Sequence, residues 1–169
     1  MFLDRDGVLA QEIVRDGEAL APTRLEDFRL VEGAATQVDR LRAAGLLCIV
    51  FTNQPEVARG LLALETLEQM HRQLRERVAV DDVLVCPHVD QDGCTCRKPS
   101  PGLLRQAANQ WGVDLRRSFV VGDRWRDIDA GRAAGCYAVL LERAYSNCAS
   151  ADARVATLAE AVDVILART

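Results

Sequence analysis

Short apolar runs, each ending on a polar or glycine residue and separated by stretches of helical period, constrain this chain more than any other feature. Phe2-Leu3 leads into Asp4, the run 46–51 into Thr52, Val83-Leu84-Val85 into Cys86, Phe119-Val120-Val121 into Gly122, and 137–141 into a polar tail. Continuous apolar runs of this length read as strands covered on both faces. Between them Ala34, Val38 and Leu41 recur at helical spacing, with Gly45 as a C-terminal cap, and Leu64, Leu67, Leu74 and Val78 do likewise. Leu103, Leu104 and Ala107 follow Ser100-Pro101, an N-cap and a proline suited to the first helical position. Residues 127–134 predict another short helix, and Leu158, Ala161, Val162, Ile165 and Leu166 share one face of a last one. Residues 10–30, punctuated by Asp16-Gly17 and Pro22, read as a loop or small hairpin. Strands alternating with helices imply right-handed crossovers and a doubly wound, mainly parallel α/β sheet. Ligands bind such sheets beyond the carboxyl ends of the strands. Asp4, Thr52 and Asp123 are therefore expected to converge at one edge.

The 169 residues are about the length of one domain, and no linker or repeat divides them, so a single domain over 1–169 is expected. A net charge of −4 without a long basic run argues against nucleic acid as a partner. No apolar run approaches the roughly 20 residues of a membrane span, and no leader pattern opens the chain, which places it in the cytoplasm without a membrane partner.

Asp4 and Asp6 stand two apart after a buried strand, across the turn Arg5-Asp6-Gly7, so both can point into one site. One carboxylate can attack phosphorus while the other moves protons, provided the phosphoryl charge is neutralised. Asp123 supplies a further hard oxygen at a strand end, and a few carboxylates with phosphate and water suit Mg²⁺. Lys98 offers a compact positive charge, and Thr52-Asn53 a hydroxyl and backbone N–H donors for phosphoryl oxygens. Asp127 reads equally as a neighbour of the metal or of Lys98 and as a helix cap. His71 falls mid-helix, far in sequence from every strand end, and reads as a packing or surface residue; Trp111 and Trp125 read as packing or rim residues.

Of six cysteines, Cys86, Cys94 and Cys96 crowd together with His88. Three thiolates and one imidazole fit a closed, tetrahedral, structural Zn²⁺ site, with packing or a labile disulfide as the alternatives. Cys96 leads directly into Arg97-Lys98-Pro99, so a metal-tied loop would position the lysine. Cys48, Cys136 and Cys148 are scattered, the first two in or beside apolar runs, and read as core packing.

Phe2-Leu3-Asp4-Arg5-Asp6-Gly7-Val8-Leu9, Phe51-Thr52-Asn53-Gln54, Arg97-Lys98-Pro99 and Val121-Gly122-Asp123 with Asp127 resemble, in this order, the four motifs of haloacid dehalogenase superfamily phosphatases. The resemblance implies Asp4 as nucleophile, Asp6 as acid and then base, and Thr52 and Lys98 as phosphate holders. It also implies magnesium on Asp4, the backbone carbonyl of Asp6, and Asp123. The zinc loop ahead of Cys96-Arg97-Lys98-Pro99 is similar to that of a capless subgroup that includes histidinol phosphatases and heptose bisphosphate phosphatases. Thr52-Asn53-Gln54 followed by Ala58-Arg59-Gly60 is similar to the heptose branch, which implies a sugar bisphosphate as substrate. Arg59 and Arg97 would then bind its distal phosphate or hydroxyls, with a solvated surface arginine as the other reading of Arg59. Val8, Pro55-Glu56-Val57 and the short loop between His88 and Cys94 depart from that pattern. The expected partner is a small phosphorylated molecule, and the expected state a monomer. A histidinol phosphatase, a nucleic-acid 3′-phosphatase and a zinc-stabilised binding module are the competing readings.

Overall fold

The computed structural model describes residues 1–15, 18–147 and 150–169. In chain order the elements are β1 (Phe2–Leu3), β2 (Ile13–Arg15), β3 (Glu18–Leu20), α1 (Ala34–Ala43), β4 (Ile49–Asn53), α2 (Leu64–Arg77), β5 (Asp82–Cys86), α3 (Gly102–Trp111), β6 (Phe119–Gly122), α4 (Trp125–Ala134), β7 (Tyr137–Leu141), β8 (Ala153–Val155) and α5 (Leu158–Leu166). Six strands form one sheet in the order β5-β4-β1-β6-β7-β8, all pairs parallel. The chain winds outward from β1 through β4 to β5, then crosses back and continues from β6 to β8. The winding reverses at β1, and a reversal of this kind opens a crevice at the carboxyl edge, here beside Asp4.

Strand alternation sorts the core into two layers. Leu3, Val50 and Val121 join the buried faces of α1, α2 and α5. Phe2, Ile49, Phe51 and Val120 point the other way, into the layer with α3 and Ala130 of α4. Truncating a fully enclosed leucine such as Leu74 is expected to cost about 2–5 kcal/mol through lost transfer energy and the cavity left behind. Cys48 and Cys136 are buried core residues; Cys148 lies outside the described residues. No described helix is long and apolar enough to cross a membrane.

Three expectations shift. Leu64 is exposed, and the buried face of α2 is instead Leu67, Met70, His71 and Leu74. The α3 helix begins at Gly102 rather than at the proline. There the Gly102 N–H reaches Thr95 O at 3.1 Å, and a Cβ on Gly102 would lie 2.1 Å from that oxygen, so the preceding loop packs directly on the helix start. β8 is an additional edge strand whose Arg154 is exposed, so it lacks the continuous apolar run that marks the others. Within 10–30 the hairpin is present as antiparallel β2 and β3; its Asp16-Gly17 turn lies outside the described residues.

Candidate active site

Asp4, Asp6, Thr52, Asn53, Arg59, Arg97, Lys98 and Asp127 line one pocket of about 490 Å³ at the carboxyl edge of the sheet. Asp4 follows β1, Thr52 and Asn53 end β4, and Asp123 follows β6, so the sheet register sets the floor. Asp4 N–H donates to Val121 O at 2.9 Å, which extends the β1–β6 ladder up to the acid. Gly7 then turns the chain at φ 84°, and a Cβ there would lie 2.2 Å from Asp123 Oδ2. Only glycine lets the two segments approach this closely.

Lys98 is the hub of the floor. Its ammonium donates to Asp4 Oδ1 at 2.8 Å and to Phe51 O at 2.9 Å, and pairs with Asp127 Oδ1 at 2.6 Å. Asp127 Oδ2 accepts the Arg124 N–H at 3.0 Å, so this residue both pairs with the lysine and caps α4. Burial pulls the Lys98 ammonium down, but Asp127 and Asp4 more than offset that and keep it above the ordinary lysine value. Burial and then Asp127 push Asp4 up to about 8 against the pull of Lys98. Burial and Asp127 likewise push Asp123 up to about 7, against a hydrogen bond from the Tyr145 hydroxyl.

A divalent cation fits this floor. Carboxylate oxygens of Asp4, Asp123 and Asp127 lie within 4.8 Å of one another, and Asp123 Oδ1 is buried without a hydrogen-bond partner among the described residues. The three carboxylates face the buried ammonium of Lys98 and, at 3.9 Å from Asp123, the half-exposed guanidinium of Arg124, so the cluster stays net negative, which suits a hard dication. The Asp6 carboxylate stands apart from that cluster, bonded to Arg5 and to Gln54 Nε2; of Asp6, only the backbone carbonyl is left for a metal.

The second motif locks onto the third. Asn53 Nδ2 donates to Lys98 O and Asn53 Oδ1 accepts Lys98 N–H, both at 3.1 Å. The Asn53 side chain is thus committed to the Lys98 backbone rather than turned to a ligand. Thr52 Oγ1, almost fully enclosed, accepts Gln54 Nε2 at 2.9 Å.

Cys86, at the end of β5, meets His88, Cys94 and Cys96 in one cluster. Cys96 Sγ lies 3.1 Å from Cys86 Sγ and 3.5 Å from Cys94 Sγ; Cys86 and Cys94 are 3.6 Å apart, and His88 Nδ1 is 3.3–3.5 Å from Cys96 and Cys86. These separations exceed a disulfide bond. They approach the edge of a tetrahedron with metal–sulfur bonds of about 2.3 Å, so the four residues could hold zinc.

The rim is looser. Arg59 is exposed and pairs with Glu56 at 3.3 Å. Arg97 Nε and Arg126 Nη1 share Asp90 Oδ1 at 2.7 and 2.9 Å, and Arg97 Nη1 also donates to His88 O at 3.1 Å. Ala19, Leu20 and Ala21 of the hairpin region, with Trp125, complete the wall. Trp111, remote from this pocket, donates Nε1–H to Asp82 at 3.0 Å.

Three residues that touch the floor carry no mark in the sequence pattern. The Tyr145 hydroxyl donates to Asp123 Oδ2 at 2.6 Å, and Ser146 Oγ donates to the Asp123 carbonyl at 2.6 Å. Arg5 is wholly enclosed beside Asp6. A buried arginine flanked by two acids is the one hint available in advance, since such a charge requires partners.

Comparison with known proteins agrees with this geometry. Residues 95–163 match the HAD-hydrolase-like family model. The D-glycero-beta-D-manno-heptose-1,7-bisphosphate 7-phosphatase of Pseudomonas aeruginosa is 42% identical over 147 residues, covering 84% of this chain and 80% of its own. The D-glycero-D-manno-heptose-1,7-bisphosphate 7-phosphatase of Thermosynechococcus vestitus is 37% identical over 163 residues, covering 87% of this chain and 80% of its own. The crystal structure of D,D-heptose 1,7-bisphosphate phosphatase from B. bronchiseptica, complexed with magnesium and phosphate, superposes with TM-score 0.85 at 31% identity over 100% of this chain and 98% of that one. The shared parallel sheet and this similarity along the chain lead to one assignment: it belongs to the heptose-1,7-bisphosphate 7-phosphatase family of phosphomonoester hydrolases, within the haloacid dehalogenase-like fold.

Proposed function

We propose that this chain hydrolyses the 7-phosphate of D-glycero-D-manno-heptose 1,7-bisphosphate through a phosphorylated Asp4. The observation that carries the reading is the Lys98 ammonium, 2.8 Å from Asp4 and 2.6 Å from Asp127 at the floor of a pocket rimmed by arginines. Magnesium would be held by Asp4, Asp123 and the Asp6 carbonyl, where it would neutralise phosphoryl charge and lower the cost of bringing an anionic ester to an anionic nucleophile. Zinc would be held by Cys86, His88, Cys94 and Cys96, with no ligand position left for chemistry.

The protein's own groups perform two displacements. An Asp4 oxygen bonds to phosphorus as the bond to the sugar oxygen breaks, and Asp6 gives its proton to that departing oxygen. Asp6, now a carboxylate, takes a proton from water as the water oxygen bonds to phosphorus and the Asp4–phosphorus bond breaks, releasing inorganic phosphate and restoring both acids. Lys98 and Thr52 hold the transferring oxygens, with Lys98 fixed through Asp127 and Asn53. Arg59 and Arg97 take the distal end of the substrate, where a guanidinium fork suits a phosphate. The substrate is a small phosphorylated molecule, and the chain works as a monomeric single domain.

The test is turnover by purified protein with magnesium. Phosphate is expected to be released faster from heptose 1,7-bisphosphate than from histidinol phosphate. The reverse order would replace the sugar bisphosphate with an amino-alcohol phosphate, and no hydrolysis of any phosphate ester would overturn the enzyme reading.

A further inference from the structure

Arg5 sits between the two acids of the first motif with no solvent exposure, so every donor of its guanidinium calls for a partner. Nε reaches both Asp6 oxygens at 3.1 Å and Nη2 donates to Asp6 Oδ2 at 2.9 Å. Nη1 turns the other way, to His71 Nε2 at 3.1 Å. The Phe28 ring closes one face, 5.5 Å from the guanidinium carbon. A guanidinium only donates, so His71 Nε2 is the acceptor and the ring proton sits on Nδ1. Burial, with Arg5 and Arg75 adding to it, pushes His71 down to about 3, and the ring stays a neutral acceptor at any neutral working pH.

The donors on Asp6 are unequal. Oδ2 receives Arg5 Nη2 and Gln54 Nε2, the latter at 2.8 Å, whereas among the described residues Oδ1 receives only the shared Arg5 Nε. That asymmetry leaves Oδ1 as the oxygen able to carry a transferable proton. A buried arginine–carboxylate pair gives little net stability over an apolar pair of the same volume. Loss of the His71 acceptor would strand Nη1 in a dry site, and a stranded donor pulls the fork toward another partner.

We propose that His71 is a positioning residue that, through Arg5, holds Asp6 in the orientation from which it protonates the departing sugar oxygen. The proposal rests on Asp6 being the acid, as argued above. His71 does not line the pocket, and its contact with Arg5 Nη1 is what links it to Asp6.

The experiment compares His71→Met with His71→Gln, side chains of nearly equal length and volume that differ in having an acceptor able to replace Nε2. The readout is kcat/KM on heptose 1,7-bisphosphate and on p-nitrophenyl phosphate. This parameter covers steps up to the first irreversible one, departure of the alcohol or phenol. A sugar alkoxide needs protonation to leave and p-nitrophenolate hardly does, which makes the contrast specific to the acid. His71→Met is expected to lose roughly 30-fold on the sugar ester and less than about threefold on the aryl ester, a part of the 10²–10⁴-fold that general acid catalysis supplies. His71→Gln is expected to stay within about threefold of the parent on both. Should His71→Met fail to fold, Arg5→Lys, which keeps the charge but not the fork, carries the same contrast. Equal losses on the two esters in His71→Met, with the loss in Asp6→Asn still concentrated on the sugar ester, would overturn the clamp and leave the acid in place. Equal losses in Asp6→Asn itself would overturn the role of Asp6, and the clamp with it.

Discussion

Asp4, Thr52, Lys98, Asp123 and Asp127 at the floor of the pocket are almost closed to solvent, whereas Arg59, Arg124 and Arg126 on the rim keep 31–51% of their side chains exposed. Asp4, Thr52 and Asp123 of the floor hang on strand ends, Lys98 and Asp127 reach it from the loop before α3 and from α4, and each charge has a buried partner or sits where a cation fits. Arg59 and Arg124 of the rim come from loops and Arg126 from the first turn of α4, and Arg97 and Arg126 share Asp90, a carboxylate open to water. Under the proposed function, bond making belongs to the enclosed floor and choice of substrate to the more open rim. Changes at the floor are expected to act on kcat, and changes at the rim on KM.

The strongest challenge to that division is Asp4→Asn, which keeps shape and removes the nucleophile. Steady-state hydrolysis is expected to fall about 10⁴-fold with an unchanged circular dichroism spectrum; retention of a tenth of the activity would break the assignment of chemistry to the floor. Cys94→Ser combined with Cys96→Ser tests the loop that joins the two regions. It is expected to abolish bound zinc in metal analysis and to lower kcat/KM by roughly 10–100-fold, the scale of lost support around a site. Full activity without zinc would detach the loop from Lys98.

Acidity sharpens the same comparison. Because burial raises Asp4 to about 8 and Asp123 to about 7, the magnesium-free folded protein holds protons on these groups more tightly than the unfolded chain, where an aspartate titrates near about 4. Their stabilising contribution is present below that value and is lost as pH rises through 7 and 8. In differential scanning fluorimetry the melting temperature of magnesium-free protein is expected to fall from about pH 5 to about pH 8, with added magnesium recovering more degrees at the upper end. Equal recovery at both ends would mean that the floor does not hold the cation. Arg59→Ala closes the series. A rim charge in contact with water is worth about 0.2–1 kcal/mol, so KM for the bisphosphate is expected to rise a few-fold at unchanged kcat, and a loss confined to kcat would erase the distinction between rim and floor.

How much of this is legible in advance follows from how each contact is encoded. Asp4, Thr52 and Asp123 each follow a run of enclosed apolar residues, and parallel pairing from β5 to β8 carries their ends to one edge, so topology and site emerge together. The cysteine cluster is visible because all of its residues fall between positions 86 and 96. Asp127 could be read two ways because it does two things at once, one oxygen on Lys98 and the other on the Arg124 amide. Arg5 with His71 and Tyr145 with Asp123 escape notice because each pair joins segments 66 and 22 residues apart. Neither pair leaves a period or spacing in the chain, and only packing in three dimensions creates it. β8 escapes because an edge strand needs no unbroken apolar run.

The reciprocal amide grip of Asn53 on the main chain of residue 98 gives Lys98 two moorings, one in the sheet and one in the cysteine-bearing segment. Residues inserted between His88 and Cys94 would be taken up by the outer mooring while the inner one keeps the ammonium in register with Asp4. Segments at this position can therefore drift in length and sequence over evolutionary time, reshaping what the enzyme admits without resetting how it cleaves.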